Sequence, residues 1–351
     1  MTAGVENKKG RESGHEAAAW SGVESKGGAV AALLSGLRAA GRVPVWAVLY
    51  ADRERVAALE ALLVEHGAWT DWPLMVLCSG AAGSPGGLQI HSRPAAGVRP
   101  LRDGVRVAGM AWTTPAGREA SLCGVLPAGG LARGASVRDL LERSAALLGQ
   151  AGMGWGDVHR TWYYNDSILD WYGEFNTLRR DYYQGQGVSL DRPPASTGIG
   201  LANAWGRPLT LAALAALPHA QPGPVPSPLQ NEPRSYGSYF SRASEQATAQ
   251  GRALTVSGTA SIDRTGRTVH AGDFDAQVRQ TCRVVEALLA SRGMGWGDVC
   301  RATAYVRRPS DLGRWRALEA EGVVPDFPRV VLPAVVCRED LLFELEVEAL
   351  Q

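Results

Sequence analysis

Gly152-Met-Gly-Trp-Gly-Asp-Val158 occurs a second time in this chain, as Gly293-Met-Gly-Trp-Gly-Asp-Val299. Each copy follows an amphipathic helical pattern and is followed, at the same spacing, by an arginine and then a tyrosine. These residues are Arg160 and Tyr164 after the first copy, and Arg301 and Tyr305 after the second. A repeat of this length indicates that one strand–helix–strand unit is present twice. The seam between two such units is a common position for a binding site.

The glycines of the repeated phrase do not predict a nucleotide-binding loop. A dinucleotide loop lies between a strand and the helix that follows it, whereas these glycines follow a helix and precede a strand. The pattern therefore favours a helix C-cap and a tight turn into the strand.

The composition is typical of a globular protein, with 45% hydrophobic and 20% charged residues among 351. The net charge of +1 gives no reason to expect nucleic acid or an anionic membrane as a partner. Five widely spaced cysteines suggest neither a disulfide framework nor a metal site, and we expect a reducing cytoplasm. Six dispersed histidines also argue against a metal.

Four segments follow from composition and periodicity. We expect a disordered tail over residues 1–28, an N-terminal domain over 29–217, a proline-rich linker over 218–233 and a C-terminal domain over 234–351. The order of strand, helix, strand, helix and hairpin in the last segment predicts an α+β fold with helices on one face of a sheet.

Three glutamates share one face of the predicted last strand, because Phe343-Glu-Leu-Glu-Val-Glu348 alternates apolar and acidic residues. That face is either exposed to solvent or lines a cleft. In a cleft, neighbouring carboxylates raise one another's pKa, which suits a general acid. Arg329 could bind a substrate carboxylate as a fork. Together with Arg242, Arg301 and Arg307, it suggests a small anionic ligand.

Several motifs of the C-terminal half occur in the order found in one family. They are Gly237-Ser-Tyr-Phe-Ser-Arg-Ala243, Val256-Ser-Gly258, Pro328-Arg329 and the closing Glu-x-Glu strand. The half resembles the reactive-intermediate deaminase (RidA/YjgF) family, whose fold is also called chorismate mutase-like. The resemblance implies a cleft containing Tyr239, Arg329 and either Glu344 or Glu346. Residues 118–205 resemble the same fold more weakly and lack the arginine, so we expect that half to have lost its site.

Three longer segments are more specific. They are Leu229-Gln-Asn-Glu-Pro-Arg-Ser-Tyr-Gly237, Ser257-Gly-Thr-Ala-Ser-Ile262 and Cys337-Arg-Glu-Asp-Leu-Leu-Phe-Glu344. They resemble the chorismatases, which contain two RidA-like domains with mixed sheets and release pyruvate from chorismate without a metal or organic cofactor. The resemblance implies Glu344 as the acid, although a Glu-x-Glu-Ala ending would favour Glu346. It implies that Cys337 marks the subtype forming 3-hydroxybenzoate, the alternative being a small core residue, and it adds Tyr236 to the substrate site.

The resemblance therefore predicts a cytoplasmic chorismatase that forms 3-hydroxybenzoate for secondary metabolism and acts as a monomer or a homotrimer. Chorismate hydrolysis to a dihydroxycyclohexadiene carboxylate is an alternative product route. An imine or enamine deaminase and a non-catalytic ligand-binding protein of the same fold are the alternatives in function.

Overall fold

The computed structural model describes residues 15–20, 27–80, 82–189, 191–218, 223–248 and 251–351. The chain forms three units, each with its own sheet and its own helices. The first unit comprises β1 (His15–Trp20), α1 (Gly27–Ala39), β2 (Arg42–Ala51), α2 (Val56–Glu65), β3 (Met75–Cys78) and β4 (Gly86–Pro94).

The second unit carries one of the two copies of the repeat. It comprises β5 (Arg99–Asp103), β6 (Arg106–Thr114), β7 (Gly117–Val125), α3 (Arg133–Gln150), β8 (Val158–Asn165), α4 (Ile168–Gly185), β9 (Ala195–Gly200), β10 (Ala202–Asn203) and β11 (Leu209–Pro218).

The third unit carries the other copy. It comprises β12 (Gly223–Val225), β13 (Ala243–Thr248), β14 (Gly251–Ala260), α5 (Phe274–Ala290), β15 (Val299–Val306), α6 (Leu312–Ala320), β16 (Val330–Pro333), β17 (Val335–Val336) and β18 (Phe343–Leu350).

All three units contain the same four-stranded core. The strand orders are β1-β4-β2-β3, β7-β11-β8-β9 and β14-β18-β15-β16. In each, the first two pairings are antiparallel and the third is parallel, with a helix in the connection between the parallel strands. The predicted α+β fold with mixed sheets is confirmed, and residues 29–217 contain two of the units instead of one.

Two of the predicted segment boundaries differ from the structure. Strand β1 lies inside the tail predicted to be disordered and pairs with β4. The rest of that tail, residues 1–14 and 21–26, lies outside the described residues. Strand β12 lies inside the predicted linker and pairs with β13 at the edge of the third sheet. The proline of this strand is compatible with an edge position, where one side of the backbone needs no partner. Residues 219–222 of the linker also lie outside the described residues.

The repeated phrase forms the turn expected from its position. After α3 ends, Gly152 takes a φ of +67°, and after α5 ends, Gly293 takes a φ of +70°. This left-handed conformation favours glycine. The aspartate of each phrase then accepts a hydrogen bond from a glycine amide three residues earlier, at 2.8 Å for Asp157 and 2.9 Å for Asp298.

The three sheets meet at an apolar cluster that includes residues from every unit. At its centre are the hydroxyl groups of three tyrosines in matching positions of β2, β8 and β15. The Tyr50 and Tyr164 hydroxyl oxygens are 2.9 Å apart, and those of Tyr164 and Tyr305 are 3.1 Å apart. Three further clusters, which include buried helix residues, give each unit its own core. The sheets therefore pack around a shared axis.

Candidate active site

A cavity of about 290 Å³ lies at the seam between the second and third units. The second unit supplies residues of α4 and β9. The third unit supplies the segment before β13, the end of β14, the turn after β17 and the start of β18. The cavity is therefore in the kind of position that the internal repeat predicts.

Glu344 lines this cavity near the start of β18 and is only 5% exposed. Burial raises the pKa of Glu344 to about 8, and the neighbouring Glu346 adds to the rise, while Arg160 and Arg338 oppose it. The raised pKa keeps this carboxyl group largely protonated at neutral pH, which is the state that a general acid requires.

Gly258 lies directly against this carboxyl group. A Cβ atom at position 258 would be 2.0 Å from Oε1 of Glu344, so no side chain fits there without movement of Glu344. The pairing of β14 with β18 shifts register between Val256 and Thr259, which is the local irregularity that contains this glycine.

Cys337 lies on the cavity wall near Tyr172 and Glu344. Burial raises the pKa of the Cys337 thiol to about 12, and the proximity of Glu344 contributes in the same direction. The sulfur is therefore a neutral thiol at physiological pH. A neutral thiol is a poor nucleophile and a poor base, so its place on the wall gives it a role in shape and weak hydrogen bonding.

Two arginines surround Tyr236 on one side of the cavity. The Arg242 guanidinium lies 5.5 Å from the Tyr236 ring centre, and its Nη2 donates to the Tyr236 hydroxyl at 2.7 Å. The Arg338 guanidinium lies 5.7 Å from the same ring and donates to the carbonyl of Gly266. Tyr239 also lines the cavity, beneath Arg180, at 5.6 Å.

Arg179 of α4 is the most buried cation of this cavity, with 2% of its surface exposed. Its Nη1 donates to the Ser196 hydroxyl at 3.3 Å and its Nη2 to the Asn176 amide oxygen at 3.0 Å. Within the described part of the chain, no carboxylate forms an ion pair with it, and its Nε has no hydrogen-bond partner. A buried guanidinium without a counterion is suited to bind an anionic ligand.

Arg329 is outside the cavity lining. Its Nε donates to the Glu319 carboxylate at 2.8 Å, and its Nη1 donates to the Phe327 carbonyl at 2.8 Å. The expectation that it binds a substrate carboxylate is therefore not met by the structure. The cavity uses β9 of the second unit, with Ser196 facing Arg179, whereas Arg329 precedes the corresponding strand of the third unit.

Three other predicted substrate-binding residues lie outside the cavity lining. Arg301 lies between the rings of Trp46 and Trp162, at 4.8 and 5.1 Å, and donates to Glu348 at 3.2 Å. Arg307 donates to the Arg338 carbonyl at 2.5 Å and so supports the turn that carries Cys337. Glu346 is buried behind Glu344 in a hydrogen-bonded network, outside the cavity lining.

The structure thus brings together Glu344, Cys337, Tyr236, Tyr239 and Arg242 of the predicted site, and adds residues that were not predicted from the sequence. The added residues with polar side chains include Tyr172, Asn176, Arg179 and Arg338. Arg338 could have been identified, because it follows Cys337 in the segment Cys337–Glu344 that resembles the chorismatases. The residues of α4 gave no signal, because nothing in the sequence shows that this helix faces the third unit.

No group of three or more histidine, cysteine, aspartate or glutamate residues in the described ranges is arranged to hold a metal ion. Over the same ranges, no helix is both long and apolar enough to cross a membrane.

Comparison with known proteins relates the third unit to a described family. Residues 230–351 match the family model described as Endoribonuclease L-PSP. A RutC family protein of Pyrococcus horikoshii is 30% identical over 119 residues, which is 33% of this chain and 90% of that protein.

Two further comparisons extend beyond the third unit. A 3-hydroxybenzoate synthase of Streptomyces hygroscopicus is 31% identical over 208 residues, which is 54% of this chain. The match spans 60% of the length of that synthase. A chorismatase crystal structure superimposes with a TM-score of 0.66 and 22% identity, covering 88% of this chain and 93% of that chain. The whole-chain fold is therefore similar to that of a chorismatase, and the predicted RidA-like architecture is confirmed.

Proposed function

We propose that this chain, which belongs to the RutC family, is an enzyme that releases pyruvate from chorismate. The observation that carries the proposal is the buried acid Glu344, with a pKa of about 8, on the wall of a cavity that also contains several arginines. The similarity to a 3-hydroxybenzoate synthase and to a chorismatase fold supports the choice of substrate.

The proposed first step is proton transfer from Glu344 to the methylene carbon of the enolpyruvyl group. An alkene is a weak base, so the step requires an acid that is still protonated at neutral pH and is held in a site from which water is largely excluded. The electron pair of the double bond forms the new C–H bond, and the ether oxygen stabilises the resulting cation.

The proposed second step breaks the bond between the ring and the ether oxygen. The neighbouring ring hydroxyl attacks the ring carbon that carries the ether oxygen. The electrons of the broken C–O bond neutralise the cation, so that this oxygen becomes the ketone oxygen of the departing pyruvate. The hydroxyl proton returns to the Glu344 carboxylate. Atoms and charge balance, and the acid is restored. Opening of the epoxide and loss of a ring proton then give a hydroxybenzoate.

The neutral thiol of Cys337 favours this internal attack over attack by water. With a pKa of about 12, the Cys337 thiol stays protonated and cannot deprotonate a water molecule, so the Glu344 carboxylate left by the first step is the base for the ring hydroxyl. We therefore propose 3-hydroxybenzoate as the product, in agreement with the product named for the Streptomyces relative.

The two carboxylates of chorismate match the separated arginines of the cavity. We assign one carboxylate to Arg179, which lacks a counterion within the described residues, and the other to the pair Arg242 and Arg338 near Tyr236. Guanidinium groups bind carboxylates through two parallel hydrogen bonds, so two such contacts fix the orientation of the ring.

The place of action in our proposal is a reducing compartment such as the cytoplasm. All five cysteines lie within the described ranges and none of them forms a disulfide there. Cysteines without disulfides are usual in proteins of reducing compartments.

The test is incubation of the purified protein with chorismate in a buffer that contains a chelator. We expect equal amounts of pyruvate and 3-hydroxybenzoate, separated by chromatography. Glu344→Gln should still bind chorismate and should lose at least roughly 10²-fold in turnover, since the amide cannot donate a suitable proton. Unchanged chorismate with the folded parent protein, or full activity in Glu344→Gln, would refute the proposal.

A further inference from the structure

Glu344 and Glu346 lie on the same face of β18, two residues apart and therefore about 6.7 Å apart along the strand. Their surroundings differ. Glu344 opens onto the cavity, whereas Glu346 is 1% exposed and lies behind it, toward the packed interior between the sheets. The function proposed above uses Glu344 and gives no role to Glu346.

Glu346 is held by donors from two units. Its Oε2 accepts hydrogen bonds from Nη2 of Arg160 at 2.7 Å, Nε1 of Trp162 at 2.8 Å and the hydroxyl of Thr197 at 2.6 Å. Its Oε1 accepts from the hydroxyl of Tyr305 at 3.3 Å. Charge-assisted bonds of this kind stabilise a carboxylate in one fixed geometry.

Thr197 connects this carboxylate to the wall of the cavity. Its hydroxyl donates to Glu346 and accepts two hydrogen bonds, from Nη2 of Arg160 at 2.6 Å and from the backbone amide of Gly258 at 2.9 Å. Gly258 in turn lies against the carboxyl group of Glu344. One hydroxyl from β9 therefore fixes both the negative charge behind Glu344 and the backbone beside it.

We propose that Glu346 is a positioning residue for the acid, whose fixed negative charge, held through Thr197 and Arg160, keeps Glu344 in its protonated, proton-donating form. The catalytic consequence rests on the function proposed above, whereas the effect on Glu344 itself does not.

The sign of the effect follows from the ionisable groups around Glu344. Arg160 of β8 and Arg338 after β17 favour the charged carboxylate, while Glu346 disfavours it. Tyr305 pairs with Glu344 across β15 and β18, and Cys337 and Tyr172 lie on the cavity wall; these three groups are neutral, since burial raises their pKa values. Loss of the charge on Glu346 would remove this repulsion and would leave Arg160 without its ion-pair partner at 2.7 Å. Both changes lower the pKa of Glu344.

The test is the pH dependence of turnover in Glu346→Gln. The acid must be protonated, so kcat falls as the pH rises through the pKa of Glu344. In the variant, we expect this alkaline limb to move down by about one pH unit or more, with KM changed much less. A merely structural role would lower activity at every pH without moving the limb, and that result would overturn the proposal.

Glu348→Gln is the matched control. Glu348 is also a buried carboxylate on the same face of β18, and it pairs with Arg301 at 3.2 Å, but it is one alternation farther from Glu344. We expect its alkaline limb to stay at the position of the parent. An equal shift in both variants would mean that general loosening of the strand, and not the charge of Glu346, is responsible.

A second pair of variants covers the case in which Glu346→Gln does not fold. Thr197→Val removes the hydroxyl that fixes Glu346 and the Gly258 amide, and it should move the limb in the same direction by a smaller amount. Thr197→Ser keeps the hydroxyl and should restore the parent profile. Identical profiles for Thr197→Val and Thr197→Ser would contradict the proposal.

A direct measurement separates this inference from the proposed reaction. Difference infrared spectroscopy follows the protonated carboxyl group of Glu344, assigned by the loss of its band in Glu344→Gln. Its midpoint should lie lower in Glu346→Gln than in the parent, whether or not chorismate is a substrate. An inactive parent with a shifted midpoint would refute only the reaction, and an active parent with an unshifted midpoint would refute only the role of Glu346.

Discussion

At the residue scale, Glu344 is a group whose protonation links the site to the stability of the fold. The fold raises its pKa from the ordinary value of 4.5 to about 8. The stability gained by holding the proton is complete below pH 4.5, and it is lost as the pH rises toward about 8. The parent protein should therefore lose stability over this range because a charge becomes buried.

Glu344→Gln removes this titration, since an amide is neutral at every pH in the range. We expect the variant to be more stable than the parent at alkaline pH, by an amount on the order of a few kcal/mol, with a smaller difference under acidic conditions. Urea unfolding of both proteins at several pH values measures the effect. A difference in unfolding free energy that does not change with pH would contradict the assignment of the raised pKa to Glu344.

Arg179 and Arg329 provide a second test at this scale. Arg179→Met removes a buried charge from the cavity and should raise KM strongly, by an amount equivalent to about 2 to 5 kcal/mol. Arg329→Ala, as the control, removes the partly exposed pair with Glu319 and the hydrogen bond to the Phe327 carbonyl. Both contacts lie outside the cavity lining, so KM should stay near the parent value. Steady-state kinetics distinguish them, and the opposite order of effects would place the carboxylate site at Arg329.

The sequence could identify the acid but not the arginine that faces it. Glu344 and Cys337 lie in one continuous segment, so the spacing of residues alone brings them together. Arg179 reaches the cavity from another unit, and only the packing of α4 against the third unit reveals it. Arg329 was predicted from the Pro328-Arg329 motif of the RidA/YjgF resemblance, and a motif along the chain does not show which seam between units its residues face.

At the scale of elements, the repeated phrase predicted the turns correctly because its glycines have a local conformational role. The first unit has the same helix–turn–strand arrangement without the phrase. Two features of the repeat are present there. Gly41 has the left-handed conformation of the repeated glycine, with a φ of +65°, and Tyr50 occupies the position of the repeated tyrosine. Two residues are too few to reveal a third copy, which is why the sequence predicted two units and the structure has three.

A substitution at Gly258 tests how the register shift in β14 shapes the site. Gly258→Ala would place a methyl group against the Glu344 carboxyl, and Glu344 would have to move away from the cavity wall. Because the backbone of Gly258 is not in the left-handed region, we expect the variant to fold. Turnover should fall by about 10-fold or more, since small displacements of a catalytic group are costly. Gly313→Ala in α6, where no atom lies within 4 Å of the added Cβ, is the control. Equal turnover of the parent and Gly258→Ala would show that Glu344 tolerates displacement.

At the scale of the whole molecule, the three units form three equivalent seams that differ in chemistry. The position of Glu344, opposite Tyr305, corresponds to Thr210 opposite Tyr164 and to Gly87 opposite Tyr50. The other two positions thus lack a carboxyl group. At the seam of the first two units, the Leu74 carbonyl lies 2.3 Å from a Cβ built on Gly124, the counterpart of Gly258, so that the space is filled by backbone. Of these three matching positions in the described strands, only Glu344 carries a carboxyl group.

This arrangement predicts a monomer with one substrate site. The resemblance in the sequence left a monomer and a homotrimer open. In this chain, three units already surround the shared tyrosines, and strands exchange between sheets: β10 completes the first sheet and β17 completes the second. Because one chain supplies all three units around the tyrosines, none of these seams needs a second copy of the chain.

Light scattering after size exclusion should give a mass near 37.3 kDa, and calorimetry with Glu344→Gln and chorismate should give one bound ligand per chain. A particle of three times that mass would contradict the monomer, and three ligands per chain would contradict the single substrate site.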